Sequence, residues 1–218
     1  MRLYDVEQGS GPWFEIRSGL PTASEFSRIV TATGKPSASA DAYIAELIDE
    51  AVRPMSSRSQ EEQAAQFSGN RHTERGHDFE PKARQWFEFV HGVTLEHVGF
   101  VTTDDGALGC SPDAVICEGG KLIAGVEAKA PEGKKHVLWM MGGALPDEHK
   151  QQVHGSMVVT GLRSWWFISY CPGYKPFAVR VDWDDYTTAM QTQLAAFAER
   201  KRKALEQFTD YIQQQKAA

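Results

Sequence analysis

Thirteen residues separate Asp113, which follows Pro112, from Glu127-Ala128-Lys129, and this PD-x(13)-ExK spacing is where the chain has the means for chemistry. Glu127 and Lys129 stand two apart on a stretch that reads as a strand, Leu122 to Ala130, and so share one of its faces. Ala114 to Cys117 reads as a shorter strand, with Glu118-Gly119-Gly120-Lys121 as the turn between the two. Such a hairpin sets two carboxylates and an ammonium at one end of a sheet. Hard divalent cations such as Mg²⁺ take a few carboxylate oxygens and leave their other positions to water and phosphate. A neighbouring lysine can orient a water or, with its pKa lowered by burial, deprotonate one. These are the parts of metal-assisted phosphodiester hydrolysis. On an exposed hairpin the same spacing would be no more than a solvated Glu/Lys pair. The apolar flanks Val115, Ile116, Leu122, Ile123 and Val126 favour buried strands, and charge at the end of a buried strand calls for a partner.

The elements that position these groups follow from periodicity and punctuation. Ser24 is a plausible N-cap for a short helix through Val30, and 31–40 is a small-residue loop. Asp41 is placed to cap a helix carrying Ile44, Leu47, Ile48, Ala51 and Val52 on one stripe, stopped by Pro54. Residues 55–69 are polar and rich in Ser and Gln. A longer helix is expected over about 70–91, with Phe79, Ala83, Trp86, Phe87 and Val90 facing the core and Gly92 ending it. Strands are expected at 93–103, 107–117 and 121–130, a helical stretch from His136, and a helix over 146–160. Met140-Met141-Gly142-Gly143 reads as a flexible loop. Two more strands near 164–171 and 177–183 precede a helix from Asp184 to about Gln214, with Trp165-Trp166 in the core on at least one face. This order predicts a single α/β domain over 1–218, a central mixed β-sheet flanked by α-helices.

Composition bounds the partners. The formal net charge of −6 excludes a uniformly basic nucleic-acid surface, so any basic footprint is local. Candidates are Arg71 and Arg75, Lys134-Lys135, and Arg200-Lys201-Arg202-Lys203, the last being by default the solvated face of an amphipathic helix. No apolar run of about eighteen residues is present, so no membrane helix is expected. The N-terminal residues lack an apolar signal core, which makes the cytoplasm the expected location. Cys110, Cys117 and Cys171 form no CxxC pair and read as reduced thiols.

Six segments in order resemble the phage lambda exonuclease, or YqaJ-type viral recombinase, family of the restriction-endonuclease-like PD-(D/E)xK superfamily. They are Trp13-Phe14-Glu15-Ile16-Arg17, Thr22-Ala23-Ser24-Glu25, Gly76 to Glu80, Cys110-Ser111-Pro112-Asp113, Glu127 to Pro131, and Gln152 to Met157. The resemblance implies a restriction-endonuclease-like core. It also implies a Mg²⁺-dependent, processive 5′→3′ exonuclease that degrades one strand of linear double-stranded DNA, leaving 3′ tails for recombination by strand annealing. Two Mg²⁺ ions, about 4 Å apart in sites of this kind and replaceable by Mn²⁺, would be held by Asp113, Glu127, the Ala128 carbonyl and Glu80. By itself Glu80 reads as a solvated helix carboxylate. Lys129 would activate the attacking water, with Gln152 and His154 orienting water or phosphate; the family usually has glutamine where His154 stands. Arg17, Ser24 and Ser111 match positions that hold the 5′-phosphate of the degraded strand, a task suited to a guanidinium fork and hydroxyls. Their plain alternatives are an ion pair of Arg17 with Glu15 or Glu25 and a helix cap at Ser24. Trp13, Trp139, Met140 and Met141 are further candidates for DNA contact, the methionines as a wedge at the duplex end. The implied partners are DNA ends, two further copies of the chain in a toroidal homotrimer, and a single-strand annealing protein, with no membrane. Competing functions are an endonuclease or nickase of the same superfamily and a non-catalytic DNA-end-binding protein.

Overall fold

The computed structural model describes residues 1–53, 57, 59 and 71–217, with side chains described from Asp78 in the helix that begins at Arg71 and as far as Gln215 in the last helix. The polar stretch 55–69 therefore lies outside the described residues apart from Ser57 and Ser59, as do the side chains of Arg71 and Arg75.

Five strands form the central sheet: β2 (Leu95–Glu96), β5 (Ala114–Glu118), β6 (Lys121–Lys129), β7 (Ser164–Ser169) and β8 (Phe177–Asp182), in that spatial order. Only β6 and β7 run parallel, so the sheet is mixed, as expected. Glu118 pairs with Lys121 across a two-residue turn in which Gly119 and Gly120 have φ of +56° and +76°. Both positions of such a turn need positive φ, which glycine supplies without strain. The parallel β6–β7 pair requires a crossover. It is made by α4 (Gly133–Gly142), a 3₁₀ turn at Asp147–His149 and α5 (Lys150–Thr160).

The predicted strands 93–103 and 107–117 are each broken in two. Their inner halves, β3 (Phe100–Thr102) and β4 (Gly109–Cys110), join β1 (Arg2–Tyr4) in a separate three-stranded sheet. The chain passes from one sheet to the other at Ser111-Pro112-Asp113. Pro112 has no N–H to give to a ladder, and Asp113 N resumes pairing by donating to Val126 O at 3.1 Å.

Helices α1 (Gly11–Arg17), α2 (Ala40–Val52), α3 (Arg71–His91) and α6 (Asp185–Ala217) flank these sheets. Thr22, not Ser24, is the cap residue of the first short helix, which is 3₁₀ from Ala23 to Arg28; Ser39, not Asp41, precedes α2. Val90 is 52% exposed, so the core stripe of α3 ends at Phe87. Met140, Met141 and Gly142 belong to α4 and are no loop; the helix is closed by Gly143 in the left-handed conformation. Trp165 is fully buried and Trp166 partly so. In the basic run of α6, Arg200 pairs with Asp41, Arg202 with Glu199 and Glu206, and Lys203 with Glu199, while Lys201 donates to the Gly19 carbonyl. These cations serve the fold.

Helix α5 is buried almost all round, packed between the 3₁₀ segment, both sheets and α6, as an apolar helix at the centre of a domain must be. A Cβ at Gly155 would overlap the ring of fully buried Phe26. Gly155→Ala is therefore expected to destabilise the protein by about 1–3 kcal/mol, seen as a lower urea midpoint. An unchanged midpoint would mean that Phe26 yields.

Candidate active site

Asp113 enters β5, Glu127 and Lys129 end β6, Glu80 lies on α3, and Gln152 is on α5, so four elements converge on the C-terminal end of β6. Glu127 is 1% exposed. Its Oε1 accepts a hydrogen bond from Gln152 Nε2 at 2.6 Å and pairs with the Lys129 ammonium, whereas its buried Oε2 has no partner. Asp113 Oδ2 accepts from the Ala128 amide at 2.6 Å, which ties the two strands together at the site. Glu80 lies 3.7 Å from Arg84 one turn along α3 and is itself only partly exposed, so it is not a free surface carboxylate.

The electrostatics are those of crowded acids. Burial, with Asp113 nearby, pushes the Glu80 carboxyl up to about 7. Burial, then repulsion from Asp113 and Glu80, pushes Glu127 up to about 8, against the pull of Lys129. Asp113 is raised by burial as well. Lys129 reverses the expectation of a lowered pKa. Burial opposes its charge, but Glu127, Asp113 and Glu80 outweigh that cost and hold the ammonium protonated. The side chain is thus placed to donate, not to take a proton.

Among the described residues no three His, Cys, Asp or Glu side chains are arranged as a ready metal cluster. The donor set nonetheless suits a hard cation. It comprises the Asp113 carboxylate, held by the Ala128 amide, the Glu127 carboxylate with one buried oxygen that has no partner, and the Glu80 carboxylate, whose charge repels both. Excess negative charge of this kind is relieved by protonation or by a cation.

A second group forms beside Ser111. Trp13 Nε1 donates to Ser111 Oγ at 3.0 Å, Arg17 Nη1 donates to the same oxygen at 3.4 Å, and Arg17 Nη2 donates to Thr22 Oγ1 at 3.2 Å. Thr22 Oγ1 in turn lies 3.3 Å from Ser24 Oγ. The structure thus brings Arg17, Ser24 and Ser111 together, with Trp13 and Thr22 added. Arg17 stacks on Trp13 at 4.1 Å, burial lowers its pKa, and it forms no ion pair among the described residues. The alternative pairing with Glu15 or Glu25 is absent; Glu25 is 3.9 Å from Arg28 instead. A partly buried guanidinium with hydroxyls around it, and with Glu25 and Glu50 acting on it without forming an ion pair, is suited to receive an anion.

His154 is not part of either group. Two residues after Gln152 it points roughly 200° further round the helix, where Nδ1 meets Thr187 Oγ1 at 2.6 Å and the ring edge meets Tyr186. Its imidazole, kept neutral by burial, ties α5 to the start of α6. The histidine near Lys129 is His149, one turn before Gln152. It is stacked on Phe167 at 5.2 Å with its pKa lowered to about 4 by burial and by Lys129. Its three-residue spacing from Gln152 is the signal that identifies it. Beside Lys129 opens a cleft of about 430 Å³ whose walls include Pro131, Leu138, Trp139 and His149. Trp139 is buried against Phe167 with its N–H on Glu148, and so forms a wall of that cleft.

A sequence profile of the YqaJ-like viral recombinase domain matches residues 12–163. Among curated proteins no sequence matches significantly. Among solved structures, the alkaline exonuclease LHK-Exo of Laribacter hongkongensis is similar at TM-score 0.74 and 24% identity, over 94% of this chain and 99% of that one. A structure of the same enzyme in complex with dAMP is similar at TM-score 0.76 and 24% identity, with the same coverage. A phage-related exonuclease from Haemophilus somnus 129PT is similar at TM-score 0.60 and 13% identity, over 88% of this chain and 96% of that one. At these identities the likeness is one of fold.

Proposed function

Since the chain belongs to the YqaJ-like viral recombinase family, we propose that it is a Mg²⁺-dependent exonuclease acting 5′→3′ on one strand of linear double-stranded DNA. The observation that carries this reading is the adjacency of two unlike sites on one short segment: Ser111 beside a partly buried Arg17 that forms no ion pair among the described residues, and Asp113 beside Glu127 and Lys129. An enzyme that must hold a 5′-phosphate and cut the next phosphodiester needs both.

In this reading Asp113, Glu127, the Ala128 carbonyl and Glu80 hold two Mg²⁺ or Mn²⁺ ions. When bound, the ions supply Lewis acidity and offset the charge that builds on the phosphate. Gln152 fixes the rotamer of Glu127 through its 2.6 Å hydrogen bond, leaving Oε2 for a ligand. Lys129, kept charged by the carboxylates, donates to the water or to a phosphate oxygen and stabilises charge that develops on the phosphorus oxygens. Arg17, Ser24 and Ser111, joined by Trp13 and Thr22, hold the terminal phosphate and so fix which bond is attacked.

The proposal extends, on family membership, to a toroidal homotrimer that threads DNA and acts processively. It includes 3′ tails passed to a single-strand annealing protein and a cytoplasmic setting. No described helix is long and apolar enough to cross a membrane.

The test is digestion of linear duplex carrying a 5′-phosphate, a 5′-hydroxyl or no ends at all, in Mg²⁺ or EDTA. Mg²⁺-dependent loss of the 5′-phosphorylated strand alone is expected. Arg17→Gln is expected to reduce the rate on 5′-phosphate ends by about 10- to 100-fold, as loss of a hydrogen bond to a charged group costs about 1.5–3 kcal/mol, and to erase the preference over 5′-hydroxyl ends. Cutting of circles would instead mark an endonuclease or nickase. Saturable binding with no product would mark an end-binding protein.

A further inference from the structure

We propose that the cleft beside Lys129 is a binding site for the unpaired part of the substrate strand on the 3′ side of the cut, a reading that rests on the proposed exonuclease function. The argument begins with position. Strand β6 lies between β5 and β7. The phosphate-holding group at Ser111 sits on the β5 side, where the chain enters that strand through Asp113. The cleft lies on the other side, where Trp139 and His149 pack on Phe167, the β7 residue in register with Glu127. A strand whose 5′-phosphate rests at Arg17 and whose next phosphate reaches Glu127 and Lys129 continues into this cleft.

The chemistry of the walls matches an unpaired strand. Leu138, 58% exposed, offers apolar surface to a base face, with Pro131 and Trp139 largely buried behind it. Three lysines, Lys129, Lys134 and Lys135, line the cleft against one acid, Glu132. Lys129 is already paired with Glu127. Lys135 is engaged with Glu148 at 2.6 Å, but Lys134 is exposed and forms no ion pair among the described residues. At about 430 Å³ the cleft has room for a nucleotide or two and none for a duplex. The Lys134-Lys135 pair thereby acquires a task that the fold does not demand of it.

The experiment uses 5′-phosphorylated single-stranded oligonucleotides of two, four and six residues. Binding is read by fluorescence anisotropy in Ca²⁺ and cleavage in Mg²⁺, for the wild type, Lys134→Gln and Leu138→Ser. Both substitutions are at exposed positions, so folding is retained. The wild type is expected to gain affinity steeply from two to four residues. Each variant is expected to lose about 3- to 10-fold of that gain, raising KM with kcat little changed. The dinucleotide, which places a single residue beyond the cut, is expected to lose less. Lys134→Gln also lowers the salt dependence of binding by about 0.7 in the log–log slope. An increment that survives both variants, a loss equal at all lengths, or an absence of any oligonucleotide binding overturns the proposal. If the length increment and its loss in the variants are seen but linear 5′-phosphorylated duplex is not cut in Mg²⁺, the nuclease reading fails and the strand site stands.

Discussion

Lys129→Ala is expected to reduce release of nucleotides from 5′-phosphorylated duplex by about 10³-fold while leaving DNA binding within a few-fold of the wild type. The size follows from what the ammonium does. It is held charged by the carboxylates around it, and a preorganised donor lost from such a site costs about 10²–10³ in rate. Lys129→Arg should not rescue it, because a planar fork on a longer stem does not reproduce a compact ammonium seated on Glu127. The same variant reports on stability. Lys129 is 31% exposed while Glu127 is 1% exposed, so removing the lysine strands a buried carboxylate with Gln152 as its remaining donor. Glu127 then takes up a proton to avoid a buried unpaired charge. Lys129 lowers the Glu127 pKa, so its removal raises that pKa further, and circular dichroism should show a loss of stability that grows toward alkaline pH, where the proton is harder to hold. A variant with more than a tenth of the wild-type rate would rule Lys129 out of the reaction.

The second large effect concerns protons and divalent cations competing for the same oxygens. Glu80 and Glu127 have folded pKa values of about 7 and about 8, above the 4.5 of an unperturbed glutamate. A raised carboxyl pKa means that the folded chain binds the proton more tightly than the unfolded chain. The stability linked to these groups is complete below about pH 4.5 and is lost as pH rises through 7 to 8. In EDTA the melting temperature should therefore fall between pH 5 and pH 8. Mg²⁺ should reverse the fall, by about 2.7 kcal/mol at a hundred times its dissociation constant, and should do so more at pH 8 than at pH 6. Asp113→Asn should lose most of that stabilisation. Metal-supported cleavage should rise across the same interval, since each carboxyl must shed its proton before it can act as a ligand. A thermal profile in EDTA that is flat with pH, or one that Mg²⁺ leaves unmoved, would contradict the carboxylate site.

The chemistry was legible because it is written locally. Asp113, a two-glycine turn and Glu127-x-Lys129 lie on one hairpin, and a hairpin needs no long-range information to bring its ends together. Helix boundaries in the C-terminal half were legible for the same reason. Apart from the helix starts at Thr22 and Ser39 and the Met140–Gly142 end of α4, which are local, the misread features depend on packing between distant elements. That the chain changes sheets at Pro112 follows from β1, over a hundred residues away, claiming β3. Which side of α5 faces the carboxylates depends on how that helix is rotated against α6, so Gln152 and His149 reach the site while His154 is spent on Thr187. The direction of the Lys129 shift hinged on how many acids surround it. Burial lowers it, and Glu127, Asp113 and Glu80 together raise it further.

Ser111 and Asp113 are separated by a single proline whose ring freezes the backbone torsion between them. Two residues of extended chain span about 7 Å, comparable to the separation of successive phosphates along a nucleic-acid strand. In the proposed function the segment would serve as a ruler, with the terminal phosphate read at one mark and the bond to be broken at the other. The unit removed at each step would then be set by covalent geometry and not by affinity, so the products should be of one length whatever the base.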